Sequence, residues 1–285
     1  MLGTHGRQGF TLAEIMVSTA IMLIVAGAVY QSLFLTGRLS RAQVQQVDVQ
    51  SSVRSAALIL GHEFRSLGAG VGSSGSESDL LSLGPSALVY RAERGFGLLC
   101  LPAGAGRITL GRASFAGHRD PQPGRDSVSL FVEGDPASAN DDNWLALGIS
   151  GVGARSCANG ESPGIDLSVG PSPVLEGLPP GTPARIHETV ELRLYRSENR
   201  SWLGMRSVSA QENIQPLAGP LRDADGLRLE YLSGAGLPTG IAAEVRSIRL
   251  SLQGQSDRAV QVGARAGEPA ADSLSALITL RNAKR

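Results

Sequence analysis

The sequence predicts an α+β fold: one long N-terminal helix, half membrane-spanning and half amphipathic, packed on an antiparallel β-sheet domain. Three observations predict it. No charged side chain stands between Glu14 and Arg38, which leaves an apolar run suited to a single helix. No proline occurs before Pro85, so nothing forces that helix to break early. The 36 glycines and 15 prolines lie mostly after residue 67, where they predict the many turns of a loop-rich β domain. Aromatic content is only 4%, so the core must be built from Leu, Val, Ile and Ala. A chain of 285 residues holds one larger or two smaller domains. With 18% charged residues and zero net charge, the composition suggests neither a nucleic-acid nor an acidic-substrate partner.

Residues 1–9 are short and polar, with His5 and Arg7 as the potential cations. The apolar run that follows reaches Leu35, and a hydrocarbon core about 30 Å thick needs roughly 20 such residues. A transmembrane segment is therefore expected at about 15–35. Thr36-Gly37-Arg38 makes a poor signal-cleavage site, so the segment is read as retained. Beyond it, Val44, Val47, Val53, Ala57, Leu60, Phe64 and Leu67 recur at three-to-four spacing and predict one apolar stripe. A helix from Thr11 to Leu67 would be roughly 85 Å long, far more than a bilayer requires. Its outer half must then pack on a soluble domain. The stripe is too short and irregular for a coiled coil. Gly27 and Gly37 are candidate bends, and Gly68 and Gly70 a candidate stop.

Gly9-Phe10-Thr11-Leu12-Ala13-Glu14, with the uncharged run behind it, resembles the processing motif of type IV prepilins and of the pseudopilins of type II secretion. The resemblance implies a leader of residues 1–9, cut by a prepilin peptidase between Gly9 and Phe10, with Phe10 then N-methylated. Ala13 stands where a larger aliphatic residue is common. The partners implied are the peptidase/N-methyltransferase, other pilin or pseudopilin subunits, and the inner membrane. The localisation implied is the bacterial inner membrane, single-pass with the C-terminal domain in the periplasm, and then the pilus or pseudopilus. Glu14 becomes the acid near the mature N-terminus. A charge at the bilayer centre costs about 2.5–3.5 kcal/mol; one at the interface costs less but still seeks a cation. The α-amine of Phe10 on a neighbouring subunit would supply it and set axial register. Counting arginines argues the opposite orientation, since Arg38, Arg41 and Arg54 follow the span and Arg7 alone precedes it. The motif outweighs that signal.

Residues 71–79 form a Ser/Gly-rich link. Strand-like runs follow at 87–90, 107–110, 127–132 and 144–149. Gly104-Ala105-Gly106 does not lead from a buried strand into a helix, so it is no dinucleotide fingerprint. The loop 134–143 clusters oxygen donors, with Asp135, Asp141 and Asp142 as weak candidates for a cation. Some pseudopilins bind calcium in a loop, but this spacing is not that of an EF-hand, and an Asp/Asn turn is the simpler reading. In the last third, 190–195 and 202–205 flank a turn at 197–200, a hairpin. Further strands are expected at 215–217, 227–232, 245–252 and 277–282. This succession is similar to the C-terminal half of PilW-like minor pilins and, more distantly, of J-type pseudopilins. The β-rich domain 68–285 thus divides into a variable part, 71–183, and a C-terminal sheet part, 184–285.

The histidines, His5, His62, His118 and His187, show no metal spacing, and His187-Glu188 lacks a second histidine in the zincin register. His187 is expected on a strand surface and His62 on a polar helix position. Asp223 and Asp225 read as solvated loop acids. There is no GxSxG and no phosphate loop. No catalytic residue, cofactor or metal is expected. Cys100 and Cys157 are either bridged, which would contribute about 4 kcal/mol through loop closure, or two buried thiols. The function expected is that of a minor pilin of a type IV pilus machine. The rivals are a J-type pseudopilin and a signal-anchored periplasmic binding or enzymatic domain.

Overall fold

The computed structural model describes residues 10–68, 78–104, 106–135, 137, 142–158, 163–261 and 266–281. The leader 1–9 with Gly9, Gly70, most of the link 71–79, Ala105, Asp141 and Asn282 lie outside the described residues.

Among the described residues there is one α-helix, α1, from Leu12 to Ser66, 55 residues or about 82 Å at helical rise. Thirteen strands follow among the described residues: β1 (Leu80–Leu83), β2 (Ala87–Leu98), β3 (Arg107–Leu110), β4 (Ala116–Gly117), β5 (Asp126–Val132), β6 (Asn143–Arg155) and β7 (Gly164–Val169), then β8 (Pro183–Ser197), β9 (Arg200–Ser207), β10 (Gln215–Leu221), β11 (Leu227–Leu232), β12 (Ser247–Ala259) and β13 (Pro269–Thr279). The pairings between these strands are all antiparallel. The arrangement is the α+β, pilin-like one expected: a long apolar helix against a large antiparallel sheet.

β8 is the spine of the sheet. One of its edges pairs with β2 from Ala87↔Arg193 to Leu98↔Pro183. Its other edge pairs first with β5, Asp126↔Glu188 to Leu130↔Ala184, and then with β9, Val190↔Ser207 to Ser197↔Arg200. The sheet therefore forks. One arm continues through β5, β6, β7 and β3, the other through β9, β10, β12 and β13. β10 and β11 follow one another along β12, and Arg222 N and Gly226 O bond Gln253 across the turn between them. Pro216 and Pro220 account for the irregular register of β10, since neither can donate to the ladder.

Each arm has its own core. Val53, Ala56, Leu60, Phe64 and Leu67 of α1 pack with Leu88, Tyr90, Val190, Leu192, Leu203 and the inner faces of β11 and β12. Away from the helix, Ile108, Leu110, Val128, Leu130, Ile165, Leu167, Ala184 and Ile186 form the second. Even-numbered residues of β8 feed both, because alternation keeps them on one face. Glu188 occupies the same face at the join.

Several expectations need correction. Val44 and Val47 are exposed, and the buried stripe is Val49, Val53, Ala56, Leu60 and Phe64; α1 first meets the sheet at Gln46, which donates to Ala271 O of β13 at 3.4 Å, and buries its first side chain at Val49. Gly68 does not stop the helix. Leu67 turns extended at the cap, drawn into the core, and Gly68 sits against the Asp79 carboxylate and pairs with Arg281. Expected strands at 87–90, 144–149 and 215–217 run on to Leu98, Arg155 and Leu221. Val245 precedes β12, in a buried turn, and the final strand is β13, ending at Thr279. Strands β1, β4 and β7 were not anticipated, being short or lacking alternation: β7 is buried on both faces.

Candidate functional site

The helix starts where the motif places the mature end. Thr11 is its N-cap, in extended conformation, and its hydroxyl accepts from Glu14 N at 3.3 Å. The Glu14 carboxylate reaches back, and Oε2 accepts from Thr11 N at 2.9 Å and from the Thr11 hydroxyl at 3.0 Å. This reciprocal capping box satisfies two of the donors a helix leaves open at its start. Glu14 thus orders the first turn of its own chain as well as standing near Phe10. Its second oxygen, Oε1, accepts no hydrogen bond from a described residue, so it is open to an incoming cation. The Thr-x-x-Glu spacing was the sequence signal for this box.

From Phe10 to Thr36 every side chain of α1 is exposed. Phe10 is 84% exposed, and Leu12, Met22, Leu23 and Ile24 lie bare against no part of the chain. Thr19 and Thr36 return their hydroxyls to the carbonyls of Ile15 and Ser32, so neither presents an unsatisfied donor to a lipid surrounding. This half of α1 is long and apolar enough to cross a membrane. An apolar surface of this extent is not left in water by a stable monomer.

The outer half of α1 is fixed by close approach to β12. A Cβ on Gly254 would lie 2.6 Å from Val53 Cγ2 and 2.8 Å from Val49 Cγ1, so only glycine lets the helix lie there. Ser52 donates to Gly219 O at 3.1 Å and accepts from Gly219 N at 3.0 Å. At the end of α1, Glu63 is bonded by Arg94, whose Nε also bonds Glu188 Oε2 at 2.9 Å. Arg119 and Arg125 converge on Glu188 as well. Burial alone would raise the Glu188 carboxyl, but hydrogen bonds from Arg94 and Ser207 and the charges of Arg94 and Arg125 hold it below the ordinary value.

The other residues singled out from the sequence form no common centre. Cys100 and Cys157 are bridged, with Cα atoms 5.5 Å apart, joining the β2–β3 connection to the β6–β7 connection. Asp135 Oδ1 accepts from Ala137 N, and Asp142 Oδ1 from Gly134 N at 3.3 Å, contacts of a turn. Among the described residues no three His, Cys, Asp or Glu side chains are grouped to hold a metal ion. His187 is buried rather than on a surface, 3.3 Å from the Ser129 hydroxyl, because its face of β8 is covered where Arg185 reaches Asp79. Burial first, and then the Arg91 charge, pushes its pKa down to about 4, so it is neutral at pH 7. His62 is exposed and meets His118 edge-on, ring centroids 6.2 Å apart, at a cleft of about 380 Å³ whose Glu63 and Arg94 are already paired. Asp223 accepts from Ser201 at 2.7 Å, and Asp225 pairs with Arg222 at 3.1 Å.

Residues 4–30 match the family model of the prokaryotic N-terminal methylation motif. No curated protein and no solved structure matches the chain. The motif indicates a type IV prepilin-like protein, and it implies processing by prepilin peptidase and assembly with other pilins. The apolar helix that carries it fits membrane anchoring.

Proposed function

We propose that this chain is a minor pilin of a type IV pilus assembly machine, a structural subunit rather than an enzyme. The supporting observation is the bare apolar half of α1, capped by Thr11 and Glu14 directly after the processing motif and continuous with a half that is locked into the β domain. Cleavage between Gly9 and Phe10 removes the leader 1–9 and exposes an amine, which is then methylated. The precursor is held in the inner membrane with the β domain on the periplasmic side. After extraction the apolar half joins the helical bundle of the filament or its initiating tip. Glu14 Oε2 keeps the cap while Oε1 takes the Phe10 amine of a neighbour. The variable part, 71–183, and the sheet part, 184–285, face outward and meet other subunits.

Co-expression with prepilin peptidase followed by intact-mass measurement tests this reading. The expected product begins at a methylated Phe10; a product still beginning at Met1 contradicts it. Removing the gene should abolish pili and leave protein secretion intact. The reverse result would assign the chain to type II secretion.

A further inference from the structure

The uncharged span ends in a ladder of three side chains, one helical turn apart on one face: Tyr30, Phe34 and Arg38. The rings of Tyr30 and Phe34 stack, with centroids 6.3 Å apart and planes inclined by 12°. The Arg38 guanidinium carbon lies 4.1 Å from the Phe34 centroid. Side chains on a helix lean toward its N-terminus, so Arg38 carries its charge back one turn, toward the span. A guanidinium at that level is not tolerated in hydrocarbon, which puts the headgroup layer at Phe34 and not beyond Arg38.

The lengths agree with that placement. From Leu12 to Leu33 is about 32 Å at helical rise, against a hydrocarbon core of about 30 Å. The capping box at Thr11 and Glu14 then sits at one interface and the ladder at the other. Tyrosine is favoured at this depth, since its ring is apolar and its hydroxyl wet, and a guanidinium over an aromatic face keeps a cation there at low cost. The first buried residue of α1, Val49, lies about 22 Å further along the axis from Phe34. Between them the helix carries Arg38, Arg41, Gln43, Gln45 and Asp48 among exposed Leu39, Val44 and Val47, and Gln46 already donates to Ala271 O of β13.

Resting on the membrane-anchored reading, we propose that Tyr30, Phe34 and Arg38 form a lipid-headgroup site on the membrane face opposite the Phe10 end. Arg38, held flat on Phe34, binds a phospholipid phosphate while the two rings lie among the headgroups. The site sets the depth of the span. The mature, full-length protein in phospholipid nanodiscs tests it. Both native cysteines are bridged, so single cysteines added at Ile24, Ala28, Gln31, Leu35 and Leu39 can be spin-labelled. Their accessibility to oxygen against a water-soluble relaxant locates the hydrocarbon edge. The expected edge lies between residues 31 and 35. It is expected to move about one turn toward Arg41 in Arg38→Gln and in the Tyr30→Ala/Phe34→Ala double variant, whose side chains touch no part of the β domain. An edge that stays in place in both variants overturns the headgroup site and leaves the span intact. A label at Ile24 that the water-soluble relaxant reaches freely overturns the membrane reading itself, and the site with it.

Discussion

Leu23 and Leu60 are the same residue on the same helix and meet opposite surroundings. Leu23 is 68% exposed, and Leu60 is fully buried against β2, β8 and β12. The two halves of α1 differ both in charge, which is absent between Glu14 and Arg38 and frequent beyond it, and in what covers their apolar side chains. The outer half is completed within the chain: Gly254 makes room for Val49 and Val53, Ser52 bonds the backbone of β10, and Glu63 is tied through Arg94 to Glu188. Among the described residues the inner half packs against no other element, and its supports are local: the cap at Thr11, the Thr19 and Thr36 hydroxyls on the carbonyls of Ile15 and Ser32, and the Tyr30–Phe34 stack. The first half needs another molecule, and the second half makes the domain.

The sharpest way to break this comparison is to truncate one side chain in each half. Phe64→Ala should lower domain stability by about 3–5 kcal/mol, since it empties a site packed edge-on against Tyr90. Ile21→Ala should leave the melting of the detergent-solubilised protein unchanged. Equal effects in thermal unfolding would remove the distinction.

Acid tests the join between the two arms of the sheet. His187 is buried neutral with a folded pKa of about 4 against an unfolded value near 6.5. Its contribution is full above pH 6.5 and is lost as pH falls toward 4, an effect of about 3 kcal/mol. Glu188, also depressed, adds a second loss below its ordinary carboxyl pKa, as Arg94, Arg119 and Arg125 lose their counter-charge. Denaturant unfolding from pH 7 to pH 4 should show the first loss, and His187→Gln should flatten it. A smaller effect is expected of Gly254→Ala, about 1–3 kcal/mol, because the new Cβ would push α1 off β12. A native melting temperature for that variant would show that the helix is less tightly seated than its contacts imply.

Much of this was legible in the sequence, and the reasons are local. The uncharged run, the absence of early proline and the Gly/Pro-rich remainder led directly to α1 and the β domain. The hairpin of β8 and β9 was legible because the polar Ser197-Glu198-Asn199-Arg200 separates two apolar runs; Glu198 and Asn199 turn it with positive φ, a conformation asparagine tolerates. Alternation placed β11 at its true bounds. The processing motif was legible because it is contiguous. What escaped was long-range. His187 is buried by contacts from distant segments, which no local pattern encodes. The fork of the sheet depends on β8 pairing with both β5 and β9, residues far apart in the chain. The capping box of Thr11 and Glu14 was legible and easily passed over, because the acid also suits an intersubunit pair.

The intersubunit role proposed for Glu14 beside its cap leads to the most direct measurement of the assembly claim. Glu14→Ala, co-expressed with prepilin peptidase and the pilus machinery, should still be cut before Phe10, giving the mature mass less the side-chain difference. It should fail to enter filaments, as read by immunoblot of sheared pili. Cleaved Glu14→Ala recovered in filaments at the native level would contradict the account.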